Sequence, residues 1–157
     1  MSYEILHGIE HLSKLDTAIS VCFDTETCQL QPELGKLRLL QLGSKVRNTI
    51  VVIDCFQLDE SDWDRVRRFF SNGDRYWLAH NAVFDIAWLQ EYGVHPNPRN
   101  LGCSMLASRL ISNGLPNRKH GLADVVKEHL GIQLDKEQQR SDWSGRLTQE
   151  QITYAAK

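Results

Sequence analysis

No apolar run in the chain approaches the roughly 20 residues that cross a membrane as a helix, so a membrane span is excluded. The segment from Met1 to Glu10 lacks both the basic start and the apolar stretch of a secretory signal, and the expectation is a cytoplasmic protein. Cysteine is scarce: Cys22, Cys28, Cys55 and Cys103 form no C-x-x-C pair, and no His pair stands at zinc-finger spacing. A structural zinc site and a disulfide framework are therefore not expected, and the four are read as free thiols, Cys22 and Cys55 in apolar strand-like runs. Internal repeats, low-complexity tracts and linkers are missing too. Positive charge is in short supply: 18 Lys and Arg against 20 Asp and Glu leave a net charge of −2. Most nucleic-acid-binding domains are basic, so such a partner requires another source of positive charge.

What remains is an ordinary globular composition, with 41% hydrophobic and 24% charged residues over 157 positions. That length suits one domain spanning residues 1–157 with a proper core. Three β-rich runs come first. Ala18–Phe23 leads into Asp24; Leu37–Leu42 follows a Pro/Gly-containing turn; Thr49–Ile53 is strongly β-branched. Short connections between them predict an antiparallel meander. Helical spacing then places Trp63, Val66, Phe69 and Phe70 on one face over 62–70. Tyr76–Ala79 reads as a further strand, and Val83–Tyr92 as a helix ended by Gly93. Beyond it the chain reads as helical, over Met105–Ile111, Leu122–Leu130 and a last segment opened by Thr148 and Gln151 at capping-box spacing. The order βββαβα followed by helices indicates an α/β domain with a mixed sheet: a three-strand antiparallel meander plus parallel strands, flanked by helices.

Three pieces carry candidate chemistry. Asp24 and Glu26 stand at i and i+2 of a strand, which share a face, so two carboxylates converge while Thr25 points away. Such a pair repels itself unless a cation sits between, and hard oxygen ligands suit magnesium or manganese. The plainer reading is a solvated acidic strand end. The second piece is His80-Asn81-Ala82-Val83-Phe84-Asp85, where strand passes to helix, a place where sites gather. There, too, a plain reading exists: Asp85 complements a helix dipole and Asn81 is an N-cap. Tyr154, the third, has core packing as its plain alternative.

Taken in order, Phe23-Asp24-Thr25-Glu26-Thr27, Asn81-x-x-Phe84-Asp85 and Tyr154-Ala155-Ala156 resemble the three exonuclease motifs of the DEDDy group of the DnaQ-like superfamily. The stretches Lys36-Leu37-Arg38-Leu39-Leu40-Gln41-Leu42 and Leu134-Asp135-Lys136-x-x-Gln139-x-Ser141-Asp142-Trp143 are similar to the ribonuclease D branch. Cys103-Ser104-Met105-Leu106-Ala107-Ser108 with His120-Gly121-Leu122 resembles the small nanoRNase C group, and proofreading domains of family A DNA polymerases share much of the pattern.

The resemblance implies a ribonuclease H-like fold and 3′–5′ exonucleolytic hydrolysis with two divalent ions, Mg²⁺ or Mn²⁺. Asp24 then bridges both ions, Glu26 completes the first site, Asp85 holds the second, and Tyr154 orients the attacking water. It implies substrate contacts for Thr27, Leu30, His80, Asn81 and Lys136, with Leu30 wedging against the terminal base; ordinary loop packing is the alternative for Leu30. Two bound ions would supply the positive charge that the composition lacks. Arg38, Arg118, Lys119, Lys136, Arg140 and Arg146 are candidate contacts for the trailing backbone, or merely solvated surface.

The expected partner is the 3′ end of single-stranded nucleic acid, RNA or short oligonucleotides first, with no membrane; a homo-oligomer is compatible with the resemblance. A proofreading module of a DNA polymerase and a nuclease-inactive nucleic-acid-binding domain are the alternatives. The chain departs from the family in two places. The third motif, Tyr-x-x-x-Asp, puts a fourth carboxylate one position after Lys157, so a boundary that cuts the motif short and weakened activity are expected. Cys103 stands where many relatives carry Asp.

Overall fold

The computed structural model describes residues 3–113, 115–134 and 141–156. Six strands form one mixed sheet in the order β1-β4-β3-β2-β5-β6. β2 (Ser20–Thr27), β3 (Leu37–Ser44) and β4 (Thr49–Asp54) make the antiparallel meander that the short connections predict. β5 (Tyr76–Ala79) pairs parallel with β2. Two strands escape the sequence reading. β1 (Glu4–His7) adds parallel to β4, and β6 (Leu101–Cys103) adds parallel to β5. β1 holds only Ile5 and Leu6 between Glu4 and His7, and β6 is three residues with a glycine at its centre, so neither shows the apolar, aromatic run that marks the equally short Tyr76–Ala79. The observed order therefore runs ββββαβαβ before the last three helices.

Alternation along β2 divides the sheet's two faces. Val21, Phe23 and Thr25 are buried on one; Cys22, Asp24 and Glu26 look out from the other. On the first face lie α1 (Glu60–Phe70) and α2 (Ala82–Glu91). α1 starts where the Asp59 carboxylate accepts from the Asp62 N–H, and it buries Trp63, Val66, Phe69 and Phe70 at the predicted spacing. Phe70 stacks on Trp77 with ring centroids 4.2 Å apart, and the Phe23 ring meets Phe70 edge-on at 5.9 Å. This aromatic block sits directly beneath the strand that carries Asp24.

The second face is thinly covered. A small cluster of Leu39, Val52, Trp143 and Ala156, with Leu147 and Tyr154 packed on it, joins the sheet to α5 (Gln149–Ala155). α5 opens with the predicted capping box, Thr148 and Gln151 bonding each other's backbone N–H. α3 (Ser104–Ile111) and α4 (Leu122–Leu130) form as read, but Leu122, Val125, Val126 and Leu130, which helical spacing puts on one face of α4, are not a packed face, since Leu122 and Leu130 are exposed. Cys22, expected in an apolar run, is likewise exposed on this side.

One cation is built into the fold. Arg75 is 2% exposed, and its guanidinium donates to the carbonyls of Ala18, Phe69, Leu15 and Asp16. The Phe69 ring lies 3.9 Å from the guanidinium carbon. Replacing Arg75 by Leu strands those carbonyls in the interior. Urea denaturation of Arg75→Leu is expected to show a loss of roughly 3 kcal/mol or more; a loss below about 1 kcal/mol, the worth of one ordinary hydrogen bond, would refute this account.

Candidate active site

Where β2 ends, the ladder with β3 slips register between Glu26 and Thr27. A bulge of this kind turns a strand end and re-aims its side chains. At the end of the parallel neighbour β5, the chain reverses through Asn81 in the left-handed region, φ 63° and ψ 44°, and enters α2. A non-glycine residue there is strained, and Asn is among the side chains that tolerate it best. Asn81 is the N-cap residue of α2, as read, but its side chain makes no capping bond: its backbone turns the corner and the residue lines the cavity wall.

The turn brings α2 down so that Asp85 meets β2. Thr25 Oγ1 donates to Asp85 Oδ1 at 2.7 Å, across 60 positions of chain. Thr25 does point away from Asp24 and Glu26, as alternation requires, yet it is the residue that holds the third carboxylate. Sequence reasoning passed over it; its one signal is a hydroxyl between two acids, facing a strand-to-helix junction. Asp85 stands in the first turn of α2, as read, but at 2% exposure and bonded to Thr25 it is more than a surface complement to the helix dipole.

The result is a cavity of about 620 Å³, within the size range of small-ligand sites. Asp24, Glu26, Thr27, Leu30, His80, Asn81, Asp85 and Tyr154 all line it. Every site residue named from the sequence within the described residues is thus brought together; Lys136 lies outside them. Leu30 is 82% exposed at the rim, so loop packing does not explain it. Thr27 Oγ1 donates to the Gln29 carbonyl at 2.6 Å and stiffens the loop that carries Leu30. His80 Nδ1 is hydrogen-bonded to Ser104 Oγ at 3.0 Å, and burial pushes its pKa down against a bond with the His120 backbone. Tyr154 leans on the buried Trp143, ring centroids 6.4 Å apart.

The basic residues fare differently. Arg38 is buried, paired with Asp54 at 3.1 Å and laid over the Phe56 ring, so it is not free for a phosphate. Arg118 pairs with Glu128. Lys119 and Arg146 are exposed but do not line the cavity, and Arg140 lies outside the described residues.

Electrostatically the three acids are in conflict. Desolvation first, then the charges of Asp24 and Asp85, push Glu26 up to about 8. Desolvation and then Asp24 push Asp85 to about 8, against the lowering bond from Thr25. Asp24 keeps an accessible edge in the cavity but is ringed by protein, and burial raises it as well. The Asp24 and Asp85 carboxyls are within hydrogen-bond reach of each other, a contact that pulls Asp24 down and pushes Asp85 up. Among the described residues, no three His, Cys, Asp or Glu side chains stand as a ready-made coordination shell; two of these acids face each other instead. The donor chemistry nonetheless fits divalent cations: three hard carboxylates, mutually repelling and short of compensating charge.

With this geometry in place, the chain can be set beside known proteins. The family model described as 3′–5′ exonuclease matches residues 6–157. The chain belongs to the 3′–5′ exonuclease family. Among curated members of that family of folds, DNA polymerase I of Aquifex aeolicus is 32% identical over 99% of this chain and 25% of its own length. Ribonuclease D of Escherichia coli is 28% identical over 99% of this chain and 41% of its own. The chain thus spans well under half of either relative. Among solved structures, Brucella melitensis NrnC with bound Mg²⁺ superposes with a TM-score of 0.77 at 27% identity, covering 99% of this exonuclease-family chain and 74% of NrnC. The ribonuclease H-like α/β fold expected from the motifs is the fold observed.

The crowding of acids has a thermodynamic consequence. Glu26 and Asp85 have folded pKa values near 8 against roughly 4 when unfolded, so the folded state binds more protons between those limits. The stability that they contribute is fully present below about pH 4 and is lost as pH rises through about 8. In EDTA, the melting temperature is expected to fall by several degrees from pH 5 to pH 8.5, less steeply in Asp85→Asn, and Mn²⁺ should restore it at pH 8.5. A flat profile would contradict the close approach of the three carboxylates.

Proposed function

We propose that this chain is the catalytic domain of a metal-dependent exonuclease that removes nucleotides from the 3′ end of single-stranded nucleic acid, with RNA or short oligonucleotides as first substrates. The observation that carries the reading is the meeting of Asp24, Glu26 and Asp85 in one cavity with Tyr154 on its wall. A purely structural fold, or a protein that only binds phosphates, gains nothing from concentrating acids where a phosphate must come.

Asp24, Glu26 and Asp85 are the residues that would hold two divalent cations, Mg²⁺ or Mn²⁺. When bound, such ions supply Lewis-acid charge at the scissile phosphate. That charge also answers the net −2 of the chain. Tyr154 lines the same space, where orienting the attacking water is the role that suits it. Thr25 fixes Asp85 from behind. Leu30 would press on the terminal base, a role supported by its exposure at the rim on a loop tied by Thr27. Asn81 and His80 line the opposite wall and offer polar contacts to the terminal nucleotide.

The RNA preference rests on likeness to ribonuclease D and to NrnC, one structure of which holds pGG. The polymerase relative favours a second reading, a proofreading module acting on DNA 3′ ends. The two are separated by substrate. Single-stranded RNA and DNA labelled at the 5′ end should be incubated with this chain, and with a version carrying Asp after Lys157, in Mg²⁺, Mn²⁺ or EDTA. Laddering from the 3′ end only with metal is expected, faster on RNA; faster laddering on DNA selects the proofreading reading. Asp24→Asn should slow it by more than about 100-fold, beyond what loss of a supporting residue costs, with an unchanged circular dichroism spectrum. Intact oligonucleotides with the extended version under every condition would remove the enzyme reading.

A further inference from the structure

Gln41 breaks a local rule. It stands mid-strand in β3 between Leu40 and Leu42, 6% exposed, where an apolar side chain would be more stabilising. Neither its Oε1 nor its Nε2 has a hydrogen-bond partner among the described residues. Buried amides are almost always bonded, and departures of this kind concentrate at functional sites.

The ladder says what this amide is next to. Gln41 is directly opposite Asp24 on β2 and Val52 on β4. Opposed residues in an antiparallel pair share a face, with Cβ atoms about 4.5–5.5 Å apart. A glutamine side chain spans that gap. Gln41 and Asp24 also line the same second cavity, about 630 Å³, whose other walls include Cys22, Ile50, Leu78 and Ala156. Asp24 lines both cavities. Asp24 thus stands between the cavity that holds Glu26 and Asp85 and the one that holds Gln41.

We propose that Gln41 is a positioning residue for the metal site, its unpartnered Nε2–H free to donate to the Asp24 carboxylate across the ladder when that carboxylate takes a divalent cation. The inference rests on the exonuclease reading of the site. A carboxylate free to rotate must be ordered when it binds a cation; a donor already held in the sheet beside it lowers that cost. The amide costs stability while unbonded, and its return comes in cation affinity.

The test uses Gln41→Met and Gln41→Leu, which remove the amide with different shapes, beside the unaltered chain and Asp24→Asn. Mn²⁺ affinity is read from the electron paramagnetic resonance of free Mn²⁺, and the melting temperature is taken in EDTA. Both Gln41 variants are expected to bind Mn²⁺ about 10-fold more weakly, the loss typical of an outer supporting residue. Their melting temperature in EDTA should be unchanged or higher, because no bonded partner is left behind. Mn²⁺ affinity equal to that of the unaltered chain would overturn the proposal. So would a fall in melting temperature in both variants, which would make Gln41 a structural amide. If the unaltered chain itself binds Mn²⁺ no better than Asp24→Asn, the reading of the site falls, and the role of Gln41 with it.

Discussion

Three carboxylates held against their own repulsion set the terms for the rest of this molecule. Asp24 and Glu26 arrive on one strand, and Asp85 is brought from α2 by the corner at Asn81 and the hydroxyl of Thr25. Left to themselves, like charges in a protein-walled cavity would separate or take up protons, and the raised values at Glu26 and Asp85 record the second course. The site stays assembled because its supports are anchored elsewhere. The aromatic block of Phe23, Phe70 and Trp77 clamps β2 to β5 and α1, and Arg75 ties the start of β2 to the end of α1 through backbone carbonyls. The apolar core supplies the free energy that the acids withhold.

Much of this was readable from the residues, because the longer elements announce themselves. Trp63, Val66, Phe69 and Phe70 repeat at helical spacing, the Thr148–Gln151 capping box is a local signal, and the three β-rich runs are long enough to show. β1 and β6 were not readable: Glu4 and His7 flank only two apolar residues in β1, β6 is Leu-Gly-Cys, and pairing with β4 and β5 makes them strands. The acids were found by motif. What the motif could not supply was how they are held. Thr25 looks like a spacer between two acids, and Gln41 like one polar residue in an apolar run; both acquire meaning only from the neighbour that the fold supplies. Arg38 shows the converse. As a basic residue near the first motif it reads as a phosphate contact, but Asp54 and Phe56 claim it.

The two faces of the sheet do different work, and β2 belongs to both. Val21, Phe23 and Thr25 face the core; Cys22, Asp24 and Glu26 face a side where, among the described residues, the buried apolar cluster is the small one around Trp143 and α5. Period-two alternation thus places stability and chemistry on the same strand without mixing them. A substitution at Val21 or Phe23 acts first on folding, whereas one at Asp24 or Glu26 acts first on charge at the cavity. The boundary is crossed at Thr25, whose side chain belongs to the core face and whose hydrogen bond serves the site. Because Asp85 approaches from the core side and Asp24 from the other, a bond between them must pass around the end of the sheet. That geometric need accounts for the register slip after Glu26 and the left-handed corner at Asn81: both bend chain at the one edge where carboxylates from opposite faces can meet.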